Sequence, residues 1–289
     1  MNIPDLRPVE SVANLRDRVD RLFREVVHRT AKHGQLGLNL APVDCHEFKT
    51  KSTGSLSEFL DFITDALPDG DVYLFGGVLR DLALTGRKGF SSDVDLVVEG
   101  DWGHLVHYIR RFDAKLNKFG GYRLKVGGWP VDIWHAESTW AITRGFIAYR
   151  GISSLTDTTV LNWDAILMNW RTKTFVFREG YFEDIAFRRL DIVLEKNPNP
   201  LGMVVRVFRH LYLKDARQIT LRAVRYLASQ SKIYGYDQIK SEEIRSYHSS
   251  IIEYQLYRFF RKIDVSDHEC IKRQYGIVSS IVEQELRFG

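Results

Sequence analysis

Asp93 and Asp95 stand one residue apart in Ser91-Ser92-Asp93-Val94-Asp95-Leu96-Val97-Val98, at the mouth of an apolar run. Residues i and i+2 of a strand point to one face, so these carboxylates project side by side. Neighbouring carboxylates repel unless a cation lies between them. Hard oxygen donors favour Mg²⁺, with Mn²⁺ as a substitute, in a shell completed by waters and phosphates. The competing expectation is a solvated strand end that happens to carry two acids. A third acid, Asp132 in Trp129-Pro-Val-Asp-Ile-Trp134, sits among apolar neighbours where an unpaired carboxylate is costly. It needs an arginine or a shared metal. Three converging acids can hold two cations, one activating an attacking hydroxyl and one steadying a departing pyrophosphate.

Upstream lies Gly76-Gly77-Val78-Leu79-Arg80-Asp81. A glycine pair followed by a helix lets the backbone approach a ligand closely and offers free N–H groups at the positive end of the helix dipole, a geometry that suits phosphate. Arg80 either adds charge-assisted contacts to that phosphate or pairs with Asp81 and braces the turn.

The elements that must position these groups follow from the apolar period. Residues 9–32 carry Val12, Leu15, Val19, Leu22, Phe23, Val26 and Val27 at helical spacing, and Ser55 or Ser57 caps a helix that Pro68-Asp69-Gly70 ends. Strands are expected over 71–75 and 94–98, with helices over 78–85 and 102–112. Tyr122–Val126 and Val131–Trp134, joined by Gly127-Gly128, read as a hairpin. Strands interleaved with helices over roughly 55–180 predict an α/β or α+β module. After Asn197-Pro-Asn-Pro200 the chain reads as helical throughout, over 201–229, 241–262 and 267–286.

Composition narrows the class. The chain has 289 residues, 44% apolar and 27% charged, enough for a sizeable core and about two domains. No run approaches the roughly 18 apolar residues of a membrane span, and the amino end lacks the pattern of a signal peptide. The expectation is a cytoplasmic protein with no membrane partner. Cys45 and Cys270 alone exclude a disulfide framework, and Cys45-His46 and His268-x-Cys270 lack zinc-ligand spacing. His104 and His107 read as an exposed helical face. The overall charge is +4, divided as −2 over 1–139 and +6 over 140–289. A basic second half suits a polyanionic partner as well as an ordinary solvated surface.

Gly-Gly-x-x-Arg-Asp, then Asp-x-Asp-Leu-Val, then a third carboxylate on a later strand resembles the nucleotidyltransferase superfamily that includes DNA polymerase β. More specifically, it is similar to the head domain of bacterial poly(A) polymerases and class II CCA-adding enzymes. Phe119-Gly120-Gly121-Tyr122-Arg123-Leu124-Lys125-Val126 is similar to the Phe-Gly strand that precedes the third carboxylate there. The resemblance spans roughly 56–228. It implies a mixed-sheet palm flanked by helices over 55–196, preceded by a helical extension (1–54) and followed by an all-helical neck- and body-like region (197–289).

Carried over residue by residue, Asp93, Asp95 and Asp132 are the catalytic and metal-binding triad. Gly76, Gly77, Arg80 and Asp81 hold the nucleotide, joined by Arg206 and Arg209 of Pro200-Leu-Gly-Met-Val-Val-Arg206-Val-Phe-Arg209, which looks like the family's Glu-Asp-Pro-x-Arg-x-x-Arg helix. Two departures stand out: Thr158-Thr159-Val160-Leu161 occupies the place of the family's Arg-Arg-Asp-Phe, and the Glu-Asp before the arginine helix is absent. The implied activity is Mg²⁺-dependent transfer of a nucleotide from an NTP such as ATP to a hydroxyl, with the 3′ end of an RNA such as tRNA, held by the basic half, as first expectation. A small-molecule or protein acceptor, or a nucleotide- or RNA-binding relative without turnover, is the alternative. The acceptor, the base added and the oligomeric state are not legible.

Overall fold

The computed structural model describes residues 7–31, 55–87 and 92–264. Helix α1 (Val12–Ala31) turns Leu15, Val19, Leu22 and Phe23 into the core. It is tied to the end of α3 (Gly77–Thr85): Arg18 Nη1 donates to Leu82 O at 2.8 Å, and Val9 N donates to Ala83 O at 2.9 Å. The cationic side chain thus satisfies carbonyls that the helix end leaves open. Helix α2 (Leu56–Asp65) begins in a reciprocal capping box, Ser55 with Glu58, and buries Leu56, Phe59, Leu60 and Ile63.

Strand β1 (Asp71–Phe75) leads into α3. Strand β2 (Val94–Glu99), helix α4 (Trp102–Ile109), strands β3 (Lys115–Leu116), β4 (Tyr122–Val126) and β5 (Trp129–His135), helix α5 (Trp140–Thr143) and strands β6 (Ile166–Asn169) and β7 (Phe175–Phe177) follow. The strands form one sheet in the order β3-β4-β5-β2-β1-β6-β7, in which β2 and β5 are parallel and the other pairs antiparallel. This is the mixed sheet that the resemblance implies. One face packs on α1, α2, α3 and α4. The other carries Tyr73, Val97 and Leu167, covered by Ala136, Leu155, Ile142 and Ile152 from the segment after β5.

Helix α6 (Tyr181–Ala186) and a short parallel pair, β8 (Arg189–Leu190) with β9 (Gln218–Ile219), connect to α7 (Pro200–Leu213), α8 (Leu221–Ile233), α9 (Tyr236–Tyr247) and α10 (Tyr254–Lys262). The single helix expected over 201–229 is two, α7 and α8. Asp215 takes a left-handed conformation (φ 52°), β9 pairs with β8, and Thr220 caps α8 afresh. The helix expected over 241–262 is likewise split into α9 and α10, at His248 (φ 52°). Residues 110–112, expected to extend α4, tighten into a 3₁₀ turn. The helix expected over 267–286 and both Cys/His pairs lie outside the described residues. One hydrophobic cluster runs from Val9 across the sheet to Ile263, so the first and last helical regions share the core beneath the sheet.

Candidate active site

Strand register brings the acids together. Asp95 on β2 lies opposite Asp132 on the parallel strand β5, and Phe75, the last residue of β1, lies opposite Asp95 from the other side. Paired residues share a face, so both carboxylates stand on the face that also carries Val97 and Tyr73, at its uncovered end. Asp93, just before β2, reaches the same place. Arg123 on β4 donates through Nη2 to Asp93 Oδ2 at 2.6 Å and through Nη1 to Asp132 Oδ2 at 3.2 Å. The electrostatics reflect the crowding. Asp95 is pushed up to about 7, first by burial, then by Asp132, with Arg206 pulling it back and Asp93 and Asp164 raising it again. Asp132 is also raised, by burial and by Asp93, against the opposing pull of Arg123.

Among the described residues no three His, Cys, Asp or Glu side chains are gathered into a ready-made metal cage. Arg123 lies between Asp93 and Asp132 instead. The donor chemistry nevertheless fits a divalent cation: hard carboxylate oxygens, two of the carboxyls raised in pKa by burial and by like-charged neighbours, beside a turn whose geometry suits phosphate. Mg²⁺ needs only one or two such carboxylates when substrate phosphates complete its shell.

The turn expected to meet phosphate is Gly76-Gly77. Gly76 sits at φ 59°, ψ −111°, a conformation L side chains rarely adopt, and it opens α3 with no side-chain cap on the helix N-terminus. The first N–H groups of α3 therefore have no side-chain partner at the positive dipole end, as an anion site requires. Beneath the turn, Arg80 and Asp81 are buried, at 7% and 0% exposure. Arg80 Nε donates to Asp81 Oδ1 at 2.9 Å, its Nη1 to Asp164 Oδ1 at 2.5 Å and its Nη2 to Ser92 Oγ at 2.8 Å. Ser92 Oγ donates to Asp81 Oδ2 at 2.7 Å, and Lys214 Nζ, just past the end of α7, sits 2.8 Å from Asp81 Oδ1. Of the two roles open to Arg80, the structure places it in the bracing one. Asp81, expected at the nucleotide, is turned inward as the anionic centre of the brace.

The two arginines of α7 part ways. Arg206 is exposed and lies near enough to Asp95 to lower its carboxyl. Arg209, one turn further along, is buried against α9. It donates to Glu243 Oε1 at 2.6 Å and Ser249 Oγ at 3.1 Å, and stacks on the Tyr247 ring at 4.2 Å, so it holds α9 rather than a nucleotide. Thr158 and Thr159, in the place of the family's arginine pair, spend their hydroxyls on Leu155 O and Leu161 O.

Two residues escaped the sequence reading. Asp164 precedes β6 at the same end of the sheet and contributes negative charge to Asp95. Its signal was the one used for Asp132, an acid between apolar residues in Asn162-Trp163-Asp164-Ala165. His210 on α7 donates Nδ1–H to Arg206 O at 2.8 Å, leaving Nε2 without a partner among the described residues. Burial and the neighbouring Arg80 hold its pKa down to about 3, so the ring is neutral. His104 and His107 are exposed on α4, as expected.

Residues 56–154 match the family model described as a nucleotidyltransferase domain. No curated protein sequence matches the chain. Among solved structures, the Thermotoga maritima CCA-adding enzyme complexed with tRNA is similar at 21% identity and a TM-score of 0.51, over 73% of this chain and 51% of that one. A CCA-adding enzyme with CTP is similar at 18% identity and a TM-score of 0.50, over 73% and 52%. A tRNA-processing enzyme in an apo form is similar at 16% identity and a TM-score of 0.53, over 80% and 65%. The chain thus spans about half the length of the first two. At these identities the likeness is one of fold, and it agrees with the resemblance read from the glycine and Asp-x-Asp motifs. Among the described residues no helix is long and apolar enough to cross a membrane.

Proposed function

We propose that this chain, whose residues 56–154 match the nucleotidyltransferase domain, transfers a nucleotide from an NTP to a hydroxyl with release of pyrophosphate, and that the hydroxyl is the 3′ end of an RNA such as tRNA. The observation that carries this reading is the in-register placement of Asp95 opposite Asp132, with Asp93 beside them, at the end of the sheet where the Gly76-Gly77 turn opens α3. The tRNA-bound and CTP-bound states of the similar structures support RNA and NTP as partners.

In this reading the triphosphate lies on the N–H groups that open α3, with Arg206 above it. The brace of Arg80, Asp81, Ser92 and Asp164 keeps the turn and the start of β2 at a fixed separation. Positioning of this kind removes the entropic cost of bringing two reactants together. Asp132 orients the acceptor hydroxyl and takes its proton at a carboxylate oxygen, and its raised pKa makes it a better base than an exposed aspartate. The acceptor oxygen forms a bond to the α-phosphorus as the bond to pyrophosphate breaks in line. A divalent cation held by Asp93, Asp95 and Asp132 would supply charge stabilisation to the phosphoryl oxygens.

The test is incubation with Mg²⁺, each α-³²P-labelled NTP in turn and total small RNA, with the double variant Asp93→Ala/Asp95→Ala as control. Label on RNA that depends on the carboxylates is the expected result, and the NTP that serves identifies the base. Label on a protein or a small molecule instead would move the acceptor. Nucleotide binding with no transfer at all would make the chain a non-catalytic relative.

A further inference from the structure

The register that pairs the acids continues outward. Asp95 lies opposite Asp132, Asp132 opposite Arg123, and Arg123 opposite Lys115 on the edge strand β3. Paired residues share a face, and Lys125 lies two residues beyond Arg123 on β4, so Lys115, Arg123 and Lys125 stand on the same face as the carboxylates. Strand β4 alternates sharply: Tyr122, Leu124 and Val126 are buried against the core, while Arg123 and Lys125 are exposed. An antiparallel strand with one wet face needs only polar residues there. Here the outward positions are cationic, and among the described residues neither Lys115 nor Lys125 has an ion-pair partner. Lys118, over the Phe119 ring at 4.9 Å, adds a further cation at the exposed hairpin tip.

Resting on the transferase reading above, we propose that this outward face of β3 and β4 is the track along which a single-stranded RNA acceptor lays its phosphodiester backbone, ending with its terminal hydroxyl at Asp132. Charge complementarity selects the occupant: a run of exposed cations that leads, without an intervening acid, to the residue that must receive the hydroxyl. Arg123 is the pivot. Its guanidinium now neutralises Asp93 and Asp132, at 2.6 and 3.2 Å, where a divalent cation would do so during catalysis. It is more than half exposed, so it is free to swing from the acids to an acceptor phosphate when that cation takes its place. Arginine suits both partners because its planar fork matches carboxylate and phosphate alike.

The proposal is tested with the full chain and a short fluorescent single-stranded RNA bearing a free 3′ hydroxyl. Binding is read by anisotropy over a salt series, and Mn²⁺ binding without nucleotide by electron paramagnetic resonance. Lys115→Gln and Lys125→Gln are each expected to weaken RNA binding severalfold and to reduce the slope of log affinity against log salt by about 0.7. The NTP dissociation constant should stay within about twofold. Arg123→Gln is expected to weaken RNA binding yet tighten Mn²⁺ binding about fivefold, because a competing charge leaves the acids. The two responses to Arg123→Gln have opposite signs, which a merely unfolded variant cannot produce. RNA affinity and salt slope unchanged in the double variant Lys115→Gln/Lys125→Gln would overturn the track, whether or not the wild type transfers nucleotides. A wild type that labels a protein or small molecule and binds no RNA would overturn it too. RNA that binds along the track without being labelled would leave the track standing and remove the transfer reading alone.

Discussion

Lys214, just past the end of α7, closes on Asp81 of α3 beneath the glycine turn, Nζ to Oδ1 at 2.8 Å, with Asp81 fully buried. Asp81 is held to about 2 by Arg80 and Lys214 against the cost of burial. Removing one partner from a buried pair leaves the other charge uncompensated. Asp81→Asn should therefore cost about 3–5 kcal/mol of stability, measured by urea unfolding. The pH dependence has a definite sign. The folded pKa lies below the unfolded one, so the contribution is complete above pH about 4 and is lost as pH falls towards 2. The gap between wild type and Asp81→Asn should narrow over that window; a constant gap would mean that the carboxylate is not the source.

Gly76 occupies φ 59°, ψ −111°, and a Cβ there would meet nothing nearer than Asp164 O at 3.5 Å. The penalty for a side chain is thus conformational rather than steric. Gly76→Ala should cost about 1–3 kcal/mol and weaken NTP binding, because relief of the strain rotates the first N–H groups of α3. Isothermal titration with a non-hydrolysable NTP checks the binding. Loss of stability with unchanged NTP affinity would separate the turn from the phosphate.

The strands, the start of α2 and the pairing of Asp93 with Asp95 were legible because each depends on a local pattern: two-residue alternation, a capping serine, acids at i and i+2. What remained illegible depends on partners distant in sequence. Arg80 reads equally well as a phosphate ligand or a brace until Asp164 and Lys214 arrive from elsewhere in the chain. Arg206 and Arg209 differ by one helical turn, yet one faces the site and the other meets Glu243, a choice made by the packing of α9 against α7. The break between α7 and α8 was hidden because the apolar period carries through Asp215, whose left-handed backbone is set by tertiary context. There Arg188 pairs with Asp215 at 3.2 Å.

Asp95 pits stability against function. Its carboxyl rises from 3.8 to about 7 in the fold, so between those values the native state binds the proton more tightly and stability falls as pH rises. In EDTA at pH 8, Asp95→Asn should unfold at a higher urea concentration than the wild type, by on the order of 1–2 kcal/mol since the carboxylate keeps partial contact with water. The advantage should vanish near pH 4. The same variant should lose more than about 100-fold in transfer, beyond the 10–100-fold typical of groups that only support metal ligands. A variant destabilised at pH 8 would show that Asp95 is not strained by its neighbours.

Arg206 and Arg209 provide the sharpest separation of site from scaffold. Arg209 and Glu243 are both buried, and Glu243 also accepts from Ile251 N at 3.0 Å and Ile252 N at 3.2 Å. Arg209→Met should therefore cost about 3–5 kcal/mol, since it strands that carboxylate. Arg209→Met/Glu243→Gln should recover part of the loss, because glutamine still accepts from the two amides without carrying a charge. Arg206 is exposed, so Arg206→Met should leave stability within about 0.5 kcal/mol and act on the site alone. Its cation no longer offsets Asp95, and NTP binding should weaken by about tenfold, the worth of one charge-assisted contact of roughly 1.5 kcal/mol. Urea midpoints and NTP titrations on the same three variants decide the matter. If Arg209→Met were to impair NTP binding at full stability, or Arg206→Met were to unfold the protein, the roles assigned to the two arginines would be reversed.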